Sequence, residues 1–154
     1  MSRRSRAREI VLQLLYQHDL HPDQAEDVRL RFLHGRLKYN RELIQFAQTL
    51  LEGVREHREE LDRRLELTAR NWRLSRMSAT DRNVLRLGGY EILFGDTPDR
   101  VAINEAIELA KRYGTRNSAQ FVNGVLDRLM SEQREAERTV EVSKVDTPVP
   151  PPAE

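Results

Sequence analysis

Apolar residues recur along this chain with a helical period. Ala7, Ile10, Val11, Leu14 and Leu15 fall at the i, i+3, i+4, i+7, i+8 spacing of one buried face, which predicts an amphipathic helix over residues 7–17. His21-Pro22-Asp23 breaks it, and a short amphipathic stretch through Val28, Phe32 and Leu33 ends near Gly35. Asn40 stands where an N-cap would, ahead of a helix that turns Leu43, Ala47, Leu50, Leu51 and Val54 inward. Residues 55–70 are densely charged, with Leu61, Leu65 and Ala69 as a narrow apolar seam. Ser78-Ala79-Thr80-Asp81 reads as a capping box opening a helix that carries Val84, Leu85, Gly88, Ile92 and Leu93. After Thr97-Pro98-Asp99, the stretch from Val101 to Tyr113 points Ile103, Ala106, Ile107 and Ala110 inward, and Gly114 closes it as a C-cap. A last helix begins near Ser118 and buries Val122, Val125, Leu126 and Leu129. The pattern predicts an all-α fold of seven helices. Strand-like alternation occurs only at Val140-Glu141-Val142.

Composition sets the size of the core. In 154 residues, 38% are hydrophobic and 33% charged, enough for one domain with a thin core and a heavily charged surface. The expected division is a helical domain over residues 1–135 and a disordered tail over 136–154, where Pro148, Pro150, Pro151 and Pro152 fall and no aromatic residue does. Gly88-Gly89 inside a helix costs about 2 kcal/mol relative to two alanines, so close helix–helix packing is expected there. Asn104, Asn123 and Asp127 lie near apolar faces and are expected to be hydrogen-bonded packing or capping groups. Cysteine is absent, which excludes disulfides and thiolate metal sites. No apolar run reaches membrane-spanning length and the N-terminus lacks the apolar stretch of a secretory signal, so the expectation is a cytoplasmic protein.

The chemistry points to binding rather than turnover. There is no Gly-rich phosphate loop and no Gly-x-Ser-x-Gly nucleophile motif, so no enzyme and no cofactor are expected. His18 and His21, with Asp19 and Asp23, lack a marked third ligand, so no metal site is expected. The net charge of +1 conceals an uneven distribution. Arg3, Arg4, Arg6 and Arg8 form a basic arm with no acid among the first eight residues, and each guanidinium could meet a phosphate. At 100° per residue, Arg8, Leu12 and Tyr16 form a stripe beside the buried face, which leaves Tyr16 open for a base to stack on. A second basic segment, Lys111-Arg112-Tyr113-Gly114-Thr115-Arg116-Asn117-Ser118, joins two helices and ends at a helix N-terminus, with Phe121 one turn further on. On these residues alone, a helical protein–protein scaffold whose arm only solubilises stays open beside the RNA reading.

Arg3-Arg4-Ser5-Arg6-Ala7-Arg8-Glu9, followed by Leu14-Leu15-Tyr16, resembles the opening of NusB-family transcription antitermination factors. Val101-Ala102-Ile103-Asn104-Glu105-Ala106-Ile107-Glu108-Leu109-Ala110-Lys111 resembles that family's most recognisable helix, and Phe121-Val122-Asn123-Gly124-Val125-Leu126-Asp127 resembles the next one. Leu85-Arg86 and Tyr90-Glu91-Ile92-Leu93 fit between them, and the likeness spans roughly residues 3–130. The resemblance implies a seven-helix fold of two small helical bundles. It implies binding to single-stranded boxA RNA of ribosomal RNA transcripts, jointly with a small-subunit ribosomal protein, NusE, within the RNA polymerase antitermination complex. Self-association into a homodimer is also known in the family, and no membrane is involved. Carried over residue by residue, the RNA surface would be Arg3, Arg4, Arg6, Arg8, Tyr16, Lys111, Arg116, Asn117 and Phe121, and the partner surface Asp81 with Arg82. Ser5 falls where some relatives have another arginine, which removes one phosphate contact. Asn117 falls where an acid is familiar, which favours RNA. A NusB-like accessory or scaffold domain without direct RNA readout is the alternative.

Overall fold

In a computed structural model, which describes residues 2–145 and 150–152, the chain forms seven α-helices and, among the described residues, no strand. They are α1 (Arg3–Leu20), α2 (Glu26–Arg36), α3 (Arg41–Glu56), α4 (Arg58–Ala69), α5 (Ala79–Leu93), α6 (Asp99–Tyr113) and α7 (Ser118–Val145), with one 3₁₀ turn at Leu74–Arg76 between α4 and α5. Local chemistry sets several of the boundaries. Ser2, Asn40 and Ser78 each accept a backbone N–H three residues on, from Ser5, Leu43 and Asp81, and so cap α1, α3 and α5. Because Ser2 caps it, α1 begins at Arg3, and the basic arm is the first turn of a helix rather than a loose terminus. Only half of the expected capping box forms at α5, since Asp81 Oδ1 has no partner.

Two groups of helices share α5. Helix α1 packs on α2 and α3, while α6 and α7 pack on each other; α5 touches α1, α3, α4, α6 and α7. It is accordingly buried all round, every residue from Asn83 to Ile92 lying inside. Its close packing comes from Gly88: a Cβ there would stand 2.7 Å from Leu126 Cδ1 and 3.2 Å from the Ala106 Cβ. Gly89 has ordinary van der Waals room, at 3.5 Å from Leu61 and Leu65. Gly114 ends α6 in extended backbone (φ −91°) and not in the left-handed region; it is needed because a Cβ would meet Ser118 Oγ at 2.5 Å and Ala110 O at 2.6 Å.

Two expectations are corrected. Helix α7 continues ten residues past the expected boundary at 135, because residues 131–145 contain no glycine or proline and bond locally. Thr139 Oγ1 donates to Glu135 O (3.0 Å), and Gln133 Nε2 to Glu137 Oε1 (3.2 Å). The rest of the expected tail, residues 146–149 and 153–154, lies outside the described residues. Asn104, Asn123 and Asp127 sit on solvent-exposed helix faces rather than in packing or capping bonds at the core. No helix among the described residues is long and apolar enough to cross a membrane.

Candidate nucleic-acid interface

The first turn of α1 exposes Arg3, Arg4 and Arg6 and contains no acid. Cations at a helix N-terminus oppose the helix dipole, at roughly 0.3–1 kcal/mol each when exposed. The fold therefore spends stability to concentrate positive charge here. Arg4 lies over the Phe46 ring of α3 at 4.6 Å, and Arg6 pairs with Glu9 at 2.9 Å.

Arg8 is the exception among the four. Its side chain is 3% exposed and donates from Nε and Nη2 to Glu91 Oε1 (3.1 and 2.8 Å), with Nη1 3.7 Å from Glu105. Thr97 Oγ1 completes the Glu91 shell at 2.8 Å. A guanidinium so enclosed cannot meet a phosphate without leaving Glu91 buried and unpaired. The stripe beside the core is corrected with it: Leu12 is buried like Arg8, and only Tyr16, 40% exposed, faces out.

The two basic segments meet at Glu9. This buried carboxylate pairs with Arg6 on its own helix and with Arg112 at the end of α6. Burial, the Glu9 charge and a hydrogen bond to Glu9 push the Tyr113 hydroxyl up from its ordinary pKa, against the opposing charges of Arg112 and Arg6. Two clefts open beside this junction. One, of about 640 Å³, is lined by Arg3, Arg6, Arg36 and Lys38 and by no acid. The other, of about 520 Å³, is lined by Tyr16, Tyr113, Phe32, Gln13, Gln17 and Thr80, and again by Arg36. Arg36, whose guanidinium lies 5.1 Å over the Phe32 ring, belongs to both. A run of cations thus leads into a cleft with two tyrosines. Sequence reasoning does not single out Arg36, Lys38 or Tyr113. The signal available is Arg36-Leu37-Lys38-Tyr39, a basic turn between helices with Lys38 and Tyr39 at φ 52° and 57°.

The remaining candidates are more scattered. Lys111 is exposed and 3.4 Å from Glu108. With Ser5, Glu9, Glu105 and Arg112 it lines a third cleft of about 710 Å³, whose acids make it a mixed-charge surface. Arg116 and Asn117 are exposed on the α6–α7 turn, which Ser118 Oγ ties by accepting Thr115 N–H at 2.9 Å. Phe121 is half-buried and does not share the Tyr16 cleft; its ring meets that of Trp72 at 5.6 Å.

Arg82 is half-buried, and its guanidinium is held by Asp19 (3.2 Å) and by the carbonyls of Leu74 and Met77. Asp81 is half-buried beside Thr80, which lines the tyrosine cleft. Asp19 is further bound by Asn83 (2.9 Å), Arg58 (3.2 Å) and Arg86 (3.3 Å), and is not available to a metal. Burial first, then the charges of Arg29, Arg55 and Arg58, push His18 below its ordinary pKa, with Asp19 opposing. Among the described residues no three His, Asp or Glu side chains group as metal ligands.

The NusB family model matches residues 5–131. The transcription antitermination protein NusB of Anaeromyxobacter dehalogenans is 48% identical over 130 residues, covering 84% of this chain and 92% of that protein. The solved NusB of T. maritima superposes with a TM-score of 0.77 at 39% identity, over 90% of this chain and 97% of the other. A chain from a crystal structure of the antitermination factors NusB and NusE in complex with double-stranded RNA superposes with a TM-score of 0.77 at 26% identity, covering 86% and 98%.

Proposed function

This chain belongs to the NusB family of transcription antitermination factors, and from that premise we propose that it binds single-stranded boxA RNA of ribosomal RNA transcripts jointly with the small-subunit ribosomal protein NusE. The family is one of assembly factors and not of enzymes. The observation that carries the RNA reading is the acid-free cleft of Arg3, Arg6, Arg36 and Lys38 running through Arg36 into the Tyr16–Tyr113 cleft. Phosphates would track the cations, each contact releasing condensed counterions, and a base would stack at the tyrosines. Arg4, Lys111, Arg116 and Phe121 would add contacts outside these two clefts, with Asn117 removing a repulsive charge; Arg8 acts only by fixing α1 against α5. The RNA-binding unit is put within residues 1–135, which hold the whole family match, with the last ten residues of α7 extending beyond it.

The solved complex of NusB and NusE with RNA supports a ribosomal-protein partner. Asp81 suits that role as a half-buried acid in the first turn of α5, next to Thr80 of the tyrosine cleft. Two proteins presenting adjoining RNA surfaces bind one strand better than either does alone, by raising the effective concentration of the second contact. RNA polymerase would meet the chain through that assembly, and a homodimer would compete by covering the arginines.

The test is fluorescence anisotropy of a labelled single-stranded boxA RNA across a salt series, with and without NusE. Tighter binding with NusE is expected, with affinity falling as salt rises at a log–log slope of about −0.7 per phosphate contacted. Joint replacement of Arg3, Arg4 and Arg6 by alanine should abolish most RNA binding and leave NusE binding intact. No salt-dependent RNA binding in either arm would overturn the reading in favour of a scaffold.

A further inference from the structure

The connection between α4 and α5 carries the same grammar as the arginine turn of α1. Arg70, Asn71, Trp72 and Arg73 are all exposed, and no acid occurs from Arg70 to Thr80. Trp72 is 56% exposed, an unusual state for so large a ring. It is braced from below: the Phe121 ring stands 5.6 Å away at 64°, an edge-to-face contact that leaves part of the indole facing solvent.

The backbone holds this ring out at a cost. Arg70 has φ 56° and ψ −63°, and Asn71 N–H donates to Ala69 O at 2.6 Å, which together make the strained form of γ-turn. Bonds on both sides keep the turn in place. Arg128 Nη1 donates to Thr68 O at 2.8 Å, Thr68 Oγ1 to Glu132 at 2.9 Å, and Leu74 N–H to Glu66 Oε1 at 3.2 Å. A platform fixed in advance loses little conformational entropy when something lands on it.

An exposed tryptophan could serve a protein or a base. Charge and position favour the base. Arginine beside an aromatic suits a phosphodiester chain with its bases unstacked, and every base has a π-face. Position agrees: Trp72 touches Phe121 just after the α6–α7 turn, and Thr80, in the first turn of α5 where the same connection ends, lines the Tyr16–Tyr113 cleft. Both ends of the connection therefore border the elements that carry the RNA reading above, on which this inference rests. We propose that Trp72, braced on Phe121 and flanked by Arg70 and Arg73, is a second stacking platform, taking one base of the single strand beyond the Tyr16–Tyr113 cleft.

Trp72 is the only tryptophan in the chain, so its emission reports the contact directly. The full chain is titrated with labelled single-stranded boxA RNA while anisotropy and tryptophan emission are read together. Saturable quenching in step with anisotropy is expected. Trp72→Ala should weaken binding roughly 5- to 150-fold, the span of one lost base stack, and Trp72→Phe should retain most of the affinity. The ring is largely exposed, so both variants should melt close to the parent. RNA binding with unchanged emission and an unaffected Trp72→Ala overturns the platform and leaves the RNA reading standing. Absence of RNA binding by anisotropy removes both. Emission that responds to NusE alone, with Trp72→Ala losing NusE and not RNA, overturns the platform in favour of a protein contact.

Discussion

Arg4 and Arg8 lie one turn apart on α1 and do opposite work. Arg4 is exposed over Phe46, while Arg8 is enclosed with Glu91 on α5. Replacing Arg8 by alanine leaves the Glu91 carboxylate buried without its charge partner, which should cost about 3–5 kcal/mol in urea denaturation. Arg4→Ala should stay within about 0.5 kcal/mol of the parent. Its effect should appear instead in RNA binding, as a weaker complex whose log–log salt slope is shallower by about 0.7. Equal destabilisation by the two substitutions would contradict the division. Nothing in Arg3-Arg4-Ser5-Arg6-Ala7-Arg8 separates these arginines, because the helical period says which way a side chain points and not what waits there. What waits for Arg8 is 83 residues downstream. Helix phase put Arg8, Leu12 and Tyr16 on one stripe, but packing buries the first two and only Tyr16, near the end of α1, stays exposed. Arg36 and Lys38 were not legible, because only the packing of α2 against α1 sets them beside Arg3 and Arg6.

Helices are legible where their causes are local. The caps Asn40 and Ser78 and the apolar faces of α3, α6 and α7 follow from residues a turn apart, and the structure forms them. The end of α7 was misplaced because the proline count of the tail outweighed fifteen residues free of glycine and proline. Gly88-Gly89 shows the limit of reading an element by itself. Both cost helix propensity, and only the neighbouring helices distinguish them. Alanine at Gly88 would press on Leu126 and on the immovable Ala106 Cβ, an overpacking cost of about 1–3 kcal/mol against a propensity gain of about 1 kcal/mol. Alanine at Gly89 meets its neighbours at ordinary distance and keeps most of that gain. Urea midpoints should therefore fall for Gly88→Ala and hold or rise for Gly89→Ala. The reverse order would mean that α5 does not approach α6 and α7 as closely as described.

At the scale of the whole molecule, the two helix groups are joined through α5, and Asp19 is the electrostatic part of that joint. It draws Arg58 of α4 and Arg82, Asn83 and Arg86 of α5 onto the end of α1, and Arg86 continues to Asp62 at 2.8 Å. Burial pushes the Asp19 carboxyl up, but the Asn83 hydrogen bond, the Arg86 charge, the Arg82 hydrogen bond and the Arg58 charge outweigh it and hold the carboxyl below its ordinary value. The unfolded chain therefore takes up this proton first as pH falls. The resulting stability is complete above the unfolded value of about 4 and is lost as pH drops through the lower folded value. Asp19→Asn should cost about 3 kcal/mol at pH 7, since it removes the one carboxylate shared by Arg58, Arg82 and Arg86 at a nearly buried site. Thermal melts of parent and variant should converge as pH is lowered below about 4, and a gap that stays constant or widens would contradict a depressed Asp19. RNA binding by the folded variant should be unchanged. Asp19 and Arg4 are fifteen residues apart on one helix, about 22 Å along its axis, so the joint and the arginine turn occupy opposite ends of α1.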